Sequence, residues 1–233
     1  MQIQMRIMMN ASTMPETSKT QPDPNDHPDA PFWNRMAARY ARTPVKDEEA
    51  YRTKLAMTQD YLDDTSTVVE LGCGTGSTAL HHAPRVHRIL ATDVSQKMVR
   101  IAQTKREEAG VHNVDFEVAS AEQTTVPPAS ADIVMVHSLL HLVDDRDALL
   151  ARVRDWLKPQ GVLVTSTPCL NDMVPWLRFF APLGRMVGLF PPSLRFFSEA
   201  ELTASLERVG FLIERRYRPD EKAAVFLIAR KAD

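Results

Sequence analysis

Thr67-Val68-Val69-Glu70-Leu71-Gly72-Cys73-Gly74-Thr75-Gly76 sets a short apolar run directly against three glycines at alternate positions. The run predicts a strand over Thr67–Leu71. The glycines predict a tight turn where a ligand can approach the backbone in space that a Cβ would fill. An ordinary strand-to-helix turn does not call for three. A phosphate loop would need a Gly-Lys-Ser/Thr ending, and the dinucleotide pattern G-x-G-x-x-G would put its third glycine at Ser77. Neither pattern fits.

Outward from this turn the chain alternates. A helix is expected over about Ser77–Ala83, a strand over Arg88–Thr92, a helix over Ser95–Ala109 and strands over Val114–Ala119 and Asp132–His137. A helix at Arg146–Leu157, a strand at Val162–Thr167 and a helix at Glu199–Val209 follow, the last with Ser198 as N-cap and Gly210 as its stop. Phe211–Tyr217 and Ala223–Ala229, joined across Pro219-Asp220, read as a hairpin. The fold class is therefore α/β: a doubly wound, mostly parallel seven-stranded sheet with a terminal antiparallel hairpin. Upstream, Phe32 to Leu62 shows helical spacing split near Thr43-Pro44, giving two helices before the first strand.

Residues 1–31 differ: Glu16 to Asp29 is polar and proline-interrupted, so 1–31 is expected to be a disordered tail ahead of one domain over 32–233. The opening nine residues lack the pattern of a secretory signal or a transit peptide. With 28 Lys+Arg against 30 Asp+Glu in 233 residues, the charge that drives general nucleic-acid binding is missing. No run approaches the roughly 18 apolar residues of a membrane span. Two cysteines, Cys73 and Cys169, are too few for a disulfide framework and fit a cytoplasmic location.

An acid, Asp93, ends the second strand 21 residues after Gly72. In a doubly wound sheet that edge lies beside the glycine turn, where a carboxylate can accept both hydroxyls of a ribose. The alternative reading is that Asp93 caps the helix beginning at Ser95, and the glycines before it favour the ligand. Glu70-Leu71-Gly72-Cys73-Gly74-Thr75-Gly76, Asp93 and Leu157-Lys158-Pro159-Gln160-Gly161 together resemble a class I S-adenosylmethionine-dependent methyltransferase of the small-molecule type. The resemblance runs from about Thr67 to the C-terminus. It implies that Gly72, Cys73, Gly74 and Gly76 cradle the methionine part of S-adenosylmethionine, that Asp93 binds its ribose, and that Glu70 orients the loop or the amino group. Where the family often has an Asp for the adenine, this chain reads Ser120-Ala121-Glu122, and Gln160 stands where a second glycine is usual.

The residues after the fourth strand, His137-Ser138-Leu139-Leu140-His141, face the transferred methyl in that family. His137 is the candidate base and a cofactor neighbour; it could also be a strand-end histidine with a satisfied ring. The family's motif for amino-methylating DNA is missing here. Asp144, Asp145 and Asp147 read as the acidic first turn of a helix rather than as a metal site, so no metal is expected. Cys73, Cys169 and the pair His81-His82 read as packing or surface residues.

Between the fifth strand and the helix at Glu199, residues 168–197 far exceed the usual connection length of roughly 2–6 residues. Trp176, Phe179 and Phe180 keep helical spacing and, with Phe32, Trp33 and Tyr40, are candidate acceptor contacts. The insertion is either a lid over a small lipophilic acceptor or extra core, and 174–197 could touch a membrane surface peripherally. The expected function is methyl transfer from S-adenosylmethionine to such an acceptor. The alternatives are a non-catalytic S-adenosylmethionine-binding protein and a nicotinamide-dependent oxidoreductase.

Overall fold

The computed structural model describes residues 27–232. Seven strands form one sheet in the order β3-β2-β1-β4-β5-β7-β6. They are β1 (Thr67–Leu71), β2 (Arg88–Asp93), β3 (Val114–Val118), β4 (Ala131–His137), β5 (Leu157–Thr167), β6 (Phe211–Tyr217) and β7 (Val225–Lys231). β1 to β5 are parallel, and β7 lies antiparallel between β5 and β6. The helices are α1 (Ala30–Arg42), α2 (Glu48–Gln59), α3 (Ser77–His82), α4 (Gln96–Glu108), α5 (Arg146–Trp156), α6 (Leu170–Met173), α7 (Leu177–Met186) and α8 (Glu199–Val209).

The period of two along each strand builds two cores, one per sheet face. Val69 and Leu71 of β1 and Val134 and Val136 of β4 meet Leu150 and Val153 of α5 and Leu202 and Leu206 of α8. Val68, Ile133 and Met135 point the other way, to Ala79 of α3 and Val99 and Ala102 of α4. Fully burying each aliphatic side chain contributes roughly 1.5–3 kcal/mol. Helix starts are written locally: the side chains of Asp47, Ser95 and Asp145 accept from the amides of Ala50, Met98 and Ala148. Ser198 and Glu201 form a reciprocal capping box, and Gly210, at φ +91°, closes α8.

Three expectations need correction. β5 begins at Leu157, directly after α5, because Leu157 already pairs with Ala131; the register then shifts before Ile133 pairs with Val162, and Gln160 in between takes φ +63°. β7 begins at Val225 because the turn at Asp220 runs further, its carboxylate accepting from Lys222 N–H and its carbonyl from Ala223 N–H. Residues 27–31 are ordered: Asp29 and Ala30 are buried, and α1 starts two residues before Phe32. Asp29 accepts a hydrogen bond from Ser193 N–H at 3.0 Å, which ties this segment to the insertion. The rest of the expected tail, residues 1–26, lies outside the described residues.

Between β1 and β4 the winding reverses direction, so the carboxyl ends of the central strands open a crevice at that switch point. No helix among the described residues is long and apolar enough to cross a membrane.

Candidate functional site

The crevice holds about 740 Å³ of space, part of it open to solvent. Gly72 and Gly74 line it. At Gly74, φ +54°, a Cβ would meet nothing nearer than the Tyr40 ring at 3.7 Å, so the backbone faces free space. Gly76 is glycine for another reason: a Cβ there would fall 2.6 Å from the Phe116 ring and 2.8 Å from Ala102. Cys73 turns away from the cavity, with its amide on Thr92 O at 2.9 Å and its thiol buried on the α3–α4 side of the sheet. Burial and the charges of Asp93 and Glu70 hold that thiol well above its ordinary range.

Asp93 lines the cavity and also organises it. Its carboxylate accepts from Gly74 N–H at 2.9 Å and from Ser95 N–H at 2.8 Å. Ser95, not Asp93, caps α4. Burial raises the Asp93 pKa, and the two backbone donors oppose that rise. Glu70 is buried on β1 with one carboxylate oxygen lacking a partner among the described residues. Desolvation, reinforced by Asp93, pushes it up to about 8 against the pull of the Ala79 amide.

Ser120, Ala121 and Glu122 form the opposite wall. Ser120 closes a tight turn, its hydroxyl accepting from Gln123 N–H at 3.2 Å. Arg152 of α5, half-buried, donates to the carbonyls of Glu122 at 2.6 Å and Thr124 at 2.7 Å, stapling that turn to the helix. Sequence reasoning missed this arginine, since carbonyl partners some thirty residues away leave no side-chain signal.

His137 ends β4 on the cavity, stacked against Phe226, with its Nδ1 buried and unpartnered among the described residues. Burial, with the nearby Lys54 charge, lowers its pKa to about 4. Lys54 of α2 donates to Ser166 Oγ at 3.0 Å, and desolvation lowers its own pKa. Ser138 follows in the left-handed region, φ +52°, a strain of about 1–3 kcal/mol. Its N–H is held by Ser166 O at 2.7 Å. The neighbouring His141 lies beside the site rather than on the cavity wall, and burial lowers its pKa to about 4.

α1 roofs the cavity. Trp33 and Tyr40, seven residues apart and so on one side of the helix, both line it, as do His27 and Asp29. Asn34 fixes the helix on α4 by accepting from Ser95 Oγ at 2.8 Å and Lys97 N–H at 3.0 Å. Phe32 packs edge-on against Trp33 and lies outside the cavity wall. Trp176, Phe179 and Phe180 also lie off that wall, on the exposed face of α7. Among the acids, Asp145 caps α5, Asp147 and Asp144 pair with Arg208 and Arg195, and no cluster suited to a metal occurs among the described residues. His82 is fully buried and Cys169 is a buried thiol.

Residues 68–161 match the family model described as "Methyltransferase domain". Over 94 residues the chain is 33% identical to the uncharacterized methyltransferase YcgJ of Bacillus subtilis, covering 40% of this chain and 37% of that one. Over 103 residues it is 31% identical to the ubiquinone/menaquinone biosynthesis C-methyltransferase UbiE of Hydrogenovibrio crunogenus, 42% of this chain and 41% of that one. The chain thus spans less than half the length of these curated relatives. The crystal structure of YcgJ superposes with a TM-score of 0.64 at 19% identity, over 78% of this chain and 99% of that one. The [4+2]-cyclase SpnF shares the fold at TM-score 0.64 and 20% identity, over 82% and 86% of the two chains, so the fold by itself does not fix the reaction. The strand order 3-2-1-4-5-7-6, the glycine turn and the domain match over residues 68–161 together make the chain similar to the class I S-adenosylmethionine-dependent methyltransferases.

Proposed function

We propose that this chain transfers the methyl group of S-adenosylmethionine to a small, lipophilic acceptor. The observation that carries the reading is the convergence on one cavity of an open glycine backbone, a carboxylate already fixed by two amides, and the end of β4. These residues fit the cofactor. Gly74 leaves the room a Cβ would fill, Asp93 keeps free lone pairs for two hydroxyls, and the Ser120–Glu122 turn offers backbone and side-chain groups to an adenine. Bound there, S-adenosylmethionine supplies an electrophilic methyl on a sulfonium.

The protein's own work is alignment. Leu139, Leu142, Val143 and Trp33 keep the acceptor side apolar and exclude water. His137 is neutral at neutral pH, so its ring can accept a hydrogen bond from an acceptor and hold it in line. A conjugate acid near pKa 4 makes it a weak proton acceptor, which favours acceptors whose nucleophile ionises readily. The UbiE relative, a C-methyltransferase by name, supports a lipophilic acceptor class.

Calorimetric titration with S-adenosylmethionine and, separately, with NAD tests the cofactor, and binding of NAD alone would refute the reading. Incubation of the protein with methyl-labelled cofactor and a lipid-extractable metabolite pool then tests transfer. Cofactor binding with no labelled product would favour a protein that keeps the pocket without the chemistry.

A further inference from the structure

Residues 30–46 and 173–198 together hold seven of the chain's 28 Lys+Arg and none of its 30 Asp+Glu. They touch where Arg35 donates to Gly188 O at 2.8 Å. Between them lies an unusual surface. α7 is anchored on one side by buried Ala181 and by Gly184, where a Cβ would fall 2.4 Å from the Phe190 ring. Its other side carries Trp176, Phe179, Phe180, Leu183, Met186 and Val187, all 59–84% exposed. Folded proteins rarely leave so contiguous an apolar face in water.

Four arginines of these two segments have no ion pair among the described residues. Arg178 lies over the Phe179 ring at 4.8 Å. Arg35, Arg39 and Arg42 are exposed and recur at helical spacing, across α1 from Trp33 and Tyr40. Among the described residues no ion pair neutralises these four; Arg195 is paired with Asp144 and Arg185 is held by Leu194 O. Exposed aromatic side chains beside arginines that carry no ion pair match the headgroup region of an anionic bilayer. A second copy fits worse, since a two-fold contact through this face would set arginines against arginines. A lid over the cavity fits worse too, because none of these side chains lines its walls.

We propose that α7 and the arginine stripe of α1 form a docking face for an anionic lipid bilayer, beside the cavity mouth. The proposal goes beyond the methyl-transfer reading and needs no cofactor. It is tested by co-sedimentation of the full chain with vesicles of phosphatidylglycerol and phosphatidylcholine, against phosphatidylcholine alone. Binding to the mixed vesicles should be roughly tenfold stronger or more and should fall with added salt. Phe179→Glu/Leu183→Glu should abolish it, and Arg39→Glu/Arg42→Glu should weaken it roughly tenfold, with melting temperature unchanged because all four side chains are exposed. No binding to mixed vesicles, equal binding by the variants, or a solution dimer that Phe179→Glu/Leu183→Glu dissolves would overturn it. Calorimetry with S-adenosylmethionine on the same samples reports separately on the methyl-transfer reading.

Discussion

Asp93 serves two partners at once, and that makes its substitutions informative. Through Gly74 N–H it holds the glycine turn, and through Ser95 N–H it holds the start of α4. Asp93→Ala leaves two amides without their acceptor, at about 1–3 kcal/mol for each that stays unsatisfied, and removes the carboxylate proposed to bind the ribose. We expect S-adenosylmethionine affinity to fall at least about tenfold, with melting temperature lowered as well. Asp93→Asn keeps one acceptor oxygen and should lose affinity with a smaller drop in melting temperature, so titration and thermal unfolding on the pair separate binding from support. For His137 the direction of the shift fixes the pH dependence: lowered to about 4, it stays neutral as pH falls through 6.5. The pH profile of kcat/KM should therefore lack an ionisation between about 6 and 7, and a step there would mean that His137 gains a partner on binding. Asp93 and the glycines were legible in the sequence because a turn and its carboxylate are written within about twenty residues. The bond from Gly74 to Asp93, the orphaned His137 Nδ1 and the depressed Lys54 were not, since each depends on burial that only the closed sheet creates.

Among elements, the turn at Ser120–Thr124 stands where the resembled family often has an acid, and Arg152 of α5 holds that turn in place. Arg152 ties its carbonyls to the helix and lies 5.1 Å over the Trp156 ring. Arg152→Met keeps most of the aliphatic stem and removes charge-assisted bonds worth about 1.5–3 kcal/mol each to stability. It should destabilise the fold by a few kcal/mol and weaken S-adenosylmethionine several-fold, while adenosine-free methionine analogues bind as before; competition titration checks the contrast. Element identity was readable wherever caps and periods agree, as at α4, α5 and α8. It failed at β5, where Leu157 pairs with Ala131 ahead of a register shift, and at residues 27–31. There a polar composition hid a helix start signalled by Asp29 before Pro31, and a tether to Ser193 that lies 164 residues away. For α7, helical spacing gave the helix but could not say which way its aromatics face; Gly184 under Phe190 decides that.

At the scale of the whole molecule, buried titratable groups set opposing limits on stability. His82, His137 and His141 have pKa values lowered to about 3, 4 and 4, chiefly by desolvation. Below 6.5 the unfolded chain takes up protons at these rings and the folded chain does not, so stability falls as pH drops. Glu70 acts in the other direction. Its folded pKa is raised to about 8 from 4.5, so the folded chain keeps a proton that the unfolded chain has lost, and this contribution disappears as pH rises through 8. Between 4.5 and 6.5 three histidines outweigh one carboxyl; above 6.5 Glu70 dominates this set. Each group contributes a slope of about 1.4 kcal/mol per pH unit across its window. The melting temperature of the cofactor-free protein should therefore peak near pH 6.5 and decline on both sides. Glu70→Gln, which cannot ionise, should flatten the decline from pH 6.5 to 8 and leave the acid side unchanged. Thermal unfolding of both proteins across that range checks the sign, and a wild-type melting temperature that keeps rising to pH 8 would mean that Glu70 is ionised in the fold, held by a cationic partner.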